Sequence, residues 1–193
     1  MVKKTDQRFS KADTAIREAF LALLQANNFD KISVKMIIDQ AGINRSTFYA
    51  HYLDKFDLME KVQESLLNEL IKDLPEINWT SQTPLESQFK QRSINIVNNI
   101  TQHRELVSLM LSKNAGHSFE SHLQNRSRQV FEDVITDEQL IIPREYASVL
   151  LTASVTSALT TWVKNGFEES PEDFADIISR VMPSIVLQLI KPA

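Results

Sequence analysis

The chain has no cysteine. That excludes a disulfide framework and a thiolate metal site, and it favours a reducing cytoplasm. Turn formers are scarce, with 3 Gly and 6 Pro in 193 residues. An all-β fold needs many more of them at its turns, so the expected fold class is all-α. No apolar run approaches the roughly 20 residues of a membrane span. The opening residues, MVKKTDQRFSK, are basic, but no signal-type apolar stretch follows them. The pattern HExxH, a phosphate-binding glycine loop and a nucleophile–base set are all missing. No enzyme, cofactor or metal is therefore expected. What is present is an ordinary folding composition, 42% hydrophobic and 24% charged. The net charge of −4 is unevenly spread. Residues 1–61 hold ten Lys/Arg against eight Asp/Glu, and residues 62–193 hold eleven against seventeen.

Periodicity predicts about nine helices. Ala12, Ala15, Ile16, Ala19, Phe20, Leu23 and Leu24 follow 3,4 spacing over a first helix at 10–27. Ser10 is its expected N-cap, with Asp13 in the capping-box position. Phe29 and Ile32 are expected to dock back on the core. Ser33 caps a second helix that turns Val34, Ile37, Ile38 and Ala41 inward. Gly42 supplies a left-handed turn that a Cβ would resist. Asn44 caps a third helix with Phe48 and Tyr52 inward. Asp54 caps a fourth, whose inner stripe is Phe56, Met59, Val62, Leu66, Leu67 and Leu70. The stretch 74–84, bounded by Pro75 and Pro84, breaks the pattern. Further helices are expected at about 85–101, 103–114, 118–135, 144–165 and 171–190. Pro143 and Pro171 sit near first turns, where a missing N–H costs little. Pro183 is expected to kink the last helix.

Residues 33–55 have the layout of a helix-turn-helix. The third helix, short and soluble, exposes Arg45, Ser46, Thr47, Tyr49 and His51, a face suited to a DNA groove. Arg45 is positioned to read guanine O6/N7. Lys35 can touch a base or a phosphate. Thr47, Tyr49 and His51 fit phosphate positioning, although His51 is also a candidate helix C-cap. Ser33 either binds a phosphate or only caps its helix. Lys55 follows the cap of the fourth helix, whose N-terminal amides favour an anion. Asn44, Ser46 and Tyr52 complete the DNA-facing set. Lys3, Lys4, Arg8 and Lys11 form either a salt-sensitive DNA arm or a solvated tail.

The last two helices differ from the rest. Residues 146–163 are apolar or small nearly all round, and 174–190 carry a wide apolar stripe. A helix without a charged face is buried on several sides. The two read as half of a two-fold intersubunit bundle joining a homodimer. Met110, Phe119, His122, Phe131, Thr156 and Trp162 are candidates to line a ligand pocket, with simple core packing as the alternative. His117 and His122, five residues apart, would fall on different faces of a helix, so they do not suggest a metal site.

On these residues the N-terminal third resembles the tetracycline-repressor (TetR) family of bacterial transcriptional regulators. The match rests on Ala41-Gly42-Ile43, on Ser46-Thr47-Phe48-Tyr49-Ala50-His51-Tyr52, and on Lys55 and Leu58. Ser46 stands where glycine is common, and Phe56 where a polar or acidic residue is common. The C-terminal part resembles regulators of dihydroxyacetone-kinase operons, through Leu111-Ser112-Lys113-Asn114, Trp162-Val163-Lys164-Asn165-Gly166-Phe167 and Ser170-Pro171-Glu172. The resemblance implies an all-α dimer with a helix-turn-helix DNA-binding domain at 1–62 and a helical effector-binding and dimerisation domain at 63–193. It implies a repressor released from a palindromic operator by a small molecule. The second resemblance keeps open a coregulator or activator controlled by a protein partner.

Overall fold

A computed structural model describes residues 4–191, with side chains from Arg8 onward. Lys3 therefore lies outside the described residues, as does the side chain of Lys4. Nine α-helices are present among the described residues: α1 Lys4–Ala26, α2 Val34–Ala41, α3 Arg45–His51, α4 Lys55–Leu70, α5 Leu85–Gln102, α6 Arg104–Met110, α7 Ser118–Val134, α8 Arg144–Lys164 and α9 Pro171–Leu189.

The caps explain most of these boundaries. Ser33 Oγ accepts from Met36 N, Asn44 Oδ1 from Thr47 N, and Asp54 Oδ1 from both Phe56 N and Asp57 N. Gly42 ends α2 at φ 63°, in the left-handed region. The start of α1 departs from expectation. The helix already runs from Lys4, so Ser10 is an interior residue whose carbonyl accepts from Thr14 Oγ1. Asp13 is not a capping-box partner; its carboxylate serves Arg17 and Tyr52.

Helices α1–α3 and the start of α4 form a head around Ile16, Phe20, Leu24, Ile37, Phe48 and Leu58, all fully buried. Helices α5–α9 and the rest of α4 form a body in which α5 packs on α9, and α8 on α7 and α9. One apolar core is continuous between them, carried by Met59, Val62, Leu66, Leu67 and Leu70 of α4. Phe56 does not share this stripe. It is 61% exposed, with its ring edge-on to Phe29.

Asn114 ties the head to the body. Asn114 Nδ2 donates to the carbonyls of Leu24 and Gln25 at 3.1 and 3.2 Å, and the Asn114 carbonyl accepts from Phe29 N at 2.8 Å. The two side-chain bonds satisfy carbonyls left open at the end of α1, and the third satisfies the Phe29 amide. On the far side of α4, buried Gln63 bonds Ser118 at the start of α7.

Helix α8 is more apolar than a run-length reading of the sequence implies. By length and composition alone it is long and apolar enough to cross a membrane. In this fold one side of it is a protein core: Ala147, Leu151, Leu159 and Trp162 are buried against α6, α7 and α9. Its other side leaves Tyr146, Val149 and Leu150 exposed, and α9 exposes Ile177 and Val181.

Candidate nucleic-acid interface and effector cavity

The helix-turn-helix presents a compact polar face. Ser33, Lys35, Asn44, Arg45, Ser46 and Tyr49 are exposed, and Thr47 is half-buried. Phe48 fills the core behind them and fixes the rotation of α3, so Arg45 and Tyr49, four residues apart, share its outer side. The Arg45 guanidinium carbon lies 5.4 Å from the Tyr49 ring centroid, and its Nη2 is 3.5 Å from the Tyr49 hydroxyl. The ring leans on the arginine, Nη2 donates to its hydroxyl, and Arg45 stays exposed. Asn44 Oδ1 gathers three donors: Thr47 N, Thr47 Oγ1 and Ser46 Oγ. The Ser46 and Thr47 hydroxyls are therefore aimed along the start of α3, each keeping lone pairs for a further partner.

Three expected DNA contacts are withdrawn by the geometry. The His51 side chain is only 3% exposed; it stacks on Phe9 at 3.7 Å between centroids, with Nδ1 3.7 Å from Asp13. Tyr52 is buried, and its hydroxyl donates to Asp13 at 2.5 Å. Burial first, and this bond second, push its ionisation above the ordinary tyrosine range. Lys55 Nζ donates to the carbonyls of Phe29, Asp30 and Ile32 at 2.9–3.1 Å. All three ammonium protons are used, so Lys55 closes the turn between α1 and α2 instead of meeting a phosphate. The first turn of α4 already has its anions. Asp54 occupies its amides, and Asp57 accepts from Leu53 N, which holds the Asp57 carboxyl below its usual range.

In the body, α4, α5, α7, α8 and α9 line a partly open cavity of about 170 Å³. Of the six residues expected to line it, Phe131 does. Met110 and Phe119 are packed solid in the main core. Trp162 is held by Phe167 and by stacking on Phe174 at 4.3 Å, with its Nε1 donating to the Glu169 carbonyl. The Thr156 hydroxyl is spent on the Thr152 carbonyl of its own helix. His122 lies in a different cleft, between α4 and the start of α7. His117 shares that cleft because it precedes α7, so helical spacing does not separate the pair. Among the described residues, no group of three or more His, Cys, Asp or Glu could hold a metal ion.

Two charged residues outside the expected lining also border the cavity: Arg92 of α5 and Arg126 of α7, both half-buried. Burial lowers the pKa of Arg92, whose Nη1 donates to the Pro75 carbonyl. Arg126 donates to Gln129 and, at 3.4 Å, to Asn68 of α4, while its Nε is buried without an acceptor.

Comparison with known proteins agrees with this architecture. The sequence profile for bacterial regulatory proteins of the tetR family matches residues 16–62. A transcriptional-regulator C-terminal-region profile, TetR_C_8, matches residues 87–184, half of the chain. The HTH-type transcriptional regulator YxbF of Bacillus subtilis (strain 168), itself uncharacterised, is 27% identical over 133 residues. That match takes in 68% of this chain and 32% of the relative, so the chain spans about a third of that protein's length. Among solved structures, a TetR transcriptional regulator from Streptococcus agalactiae 2603V superposes with a TM-score of 0.67 at 23% identity, over 92% of this chain and 97% of its own. NalD of Pseudomonas aeruginosa, the secondary repressor of the MexAB-OprM multidrug efflux pump, gives 0.64 at 16% identity, over 98% and 100%. The dihydroxyacetone kinase operon activator DhaS gives 0.62 at 17% identity, over 93% and 98%. At these identities the superpositions speak for the fold, and the profiles speak for the family. The chain belongs to the TetR family of bacterial regulatory proteins.

Proposed function

We propose that two copies of this chain pair through the α8–α9 face, set their α3 helices on the half-sites of a palindromic operator, and repress transcription until a small molecule fills the body cavity. The observation that carries the reading is the course of α4. One uninterrupted helix has Leu58 in the head core and Leu67 and Leu70 in the cavity wall. A ligand that displaces Leu67 and Leu70 therefore acts on the element that seats the head. Release follows only if the ligand binds the DNA-free arrangement more tightly than the DNA-bound one.

In this reading residues 1–62 bind DNA, and residues 63–193 sense and dimerise. Arg45 reads a base, Lys35 a base or a phosphate, and Ser33, Asn44, Ser46, Thr47 and Tyr49 set the register on the backbone. The exposed apolar side chains of α8 and α9 supply the two-fold interface. The protein works in the cytoplasm, where the operator is. NalD is named a repressor and DhaS an activator, so the sign needs a direct test. A promoter carrying the operator should drive less reporter when the chain is supplied, and Leu150→Asp on the pairing face should restore output. A rise in output on supplying the chain would overturn repression.

A further inference from the structure

We infer that the body cavity takes an amphipathic monoanion: an apolar chain of about ten non-hydrogen atoms whose negative head group is held by Arg126 and Arg92. This rests on the reading of the cavity as the effector site and names the class of effector.

The walls set the tail. Phe89, Val97, Val130, Leu151 and Met182 are among the residues around the cavity, which is lined overwhelmingly by apolar side chains. A space of about 170 Å³ is on the order of ten times the roughly 10–15 Å³ that admits one water molecule. The charges set the head. The lining includes two arginines and no aspartate, glutamate or histidine. Neither arginine takes part in a salt bridge among the described residues. A charge taken out of water is costly unless it is paired. Here partly buried Arg92 has only a neutral carbonyl, and half-buried Arg126, whose Nη groups bond Gln129 and Asn68 at the surface, keeps a buried Nε–H with no acceptor. A carboxylate at this point would supply the missing charge and the missing acceptor together. A neutral ligand could offer an acceptor oxygen but no charge, and a cationic one would add a second positive charge.

The position of Arg126 also connects occupancy to the head. Its Nη2 reaches Asn68 on α4, in the last turns of the helix that seats the head. An anion that draws the guanidinium towards the cavity competes with that contact. Ligand capture and loosening of α4 then become the same event.

Titration calorimetry on the full chain tests the class, using octanoate with 1-octanol and octylammonium as equal-length neutral and cationic probes. Octanoate should bind at least about ten-fold more tightly than either, the discrimination expected of a charge-assisted hydrogen bond. Arg126→Met should weaken octanoate by at least about ten-fold and leave 1-octanol unchanged. If Arg126→Met does not fold, as judged by its circular dichroism, Arg92→Met and Arg126→Lys serve in its place, with the same direction expected. Equal binding of octanoate and 1-octanol, or arginine variants that leave octanoate unchanged, would overturn the anion class while leaving an effector cavity. No binding of any of the three probes would overturn the class and the cavity reading together.

Discussion

The Tyr52 hydroxyl donates to the Asp13 carboxylate at 2.5 Å, across 39 residues of sequence. The bond ties the end of α3 to the middle of α1. Asp13 is held in turn by Arg17 Nε at 3.0 Å, and the ring of Lys61's neighbour in space, Tyr52, lies 5.1 Å from the Lys61 ammonium. Helix α3 is thus fixed from behind by side chains of α1 and α4.

Replacing Tyr52 with Phe should cost about 1–2 kcal/mol, because a half-buried carboxylate oxygen loses its donor. The variant should also change the alkaline limb of stability. The folded state raises the Tyr52 pKa above its ordinary value near 10. Its contribution is therefore complete below about pH 10 and is lost as pH rises towards the folded value. Denaturant unfolding between pH 8 and 11 should show wild-type stability falling above about pH 10 and a shallower fall for Tyr52→Phe. Equal slopes would remove Tyr52 as the cause.

Lys55→Met should act on folding and not on DNA charge. Three carbonyls at the α1–α2 turn lose their donor, with an expected loss of about 1–3 kcal/mol. The salt dependence of DNA binding should be unchanged. A drop of about one unit in the slope of log K against log salt would restore Lys55 as a phosphate contact.

Much of the head is legible from single residues. Ser33, Gly42, Asn44 and Asp54 mark the helix boundaries because capping is local chemistry, complete within four residues. The roles of His51, Tyr52 and Lys55 are not legible in that way. Each is decided by a partner distant in sequence or on another element: Phe9 and Asp13, or the carbonyls at Phe29–Ile32. The cavity is hidden for the same reason. Arg92 and Arg126 look like solvent-facing positions on amphipathic helices, and only the packing of α5 and α7 against α4 makes both border one cavity. Met110, Phe119 and Trp162 have the composition of a pocket wall, but their neighbours fill the space beside them. Phe56 keeps the helical spacing of its stripe, yet at the first turn of α4 it meets only Phe29 and Lys55 and stays exposed.

Asn114→Ala should loosen the seat of the head on the body. It removes two side-chain bonds to the end of α1, for an expected cost of about 1–2 kcal/mol. Hydrogen exchange at the last turn of α1 should accelerate more than exchange in α8. Uniform acceleration would show global destabilisation without a local clamp.

Leu150→Asp, on an α8 side chain that is 51% exposed in the single chain, should leave the fold intact and give a monomer in sedimentation. DNA affinity should fall steeply, because two half-sites bound by linked heads gain from effective concentration. A Leu150→Asp protein that still sediments as a dimer would move the interface elsewhere.

Arg45→Ala should relax base preference at one position in each half-site and cost about 1–3 kcal/mol of binding. Its guanidinium stays on the exposed side of α3 against Tyr49, so the loss should be specific to sequence. An unchanged preference would remove Arg45 from base reading.

Selection from random duplexes with the purified wild-type chain, at fixed near-physiological salt, tests the account most directly. The expected product is a palindrome, with half-sites spaced by the geometry of two linked α3 helices. Recovery of unenriched sequence, with binding that vanishes steeply as salt rises, would contradict a self-sufficient dimeric reader and leave a protein that needs a partner to find its site.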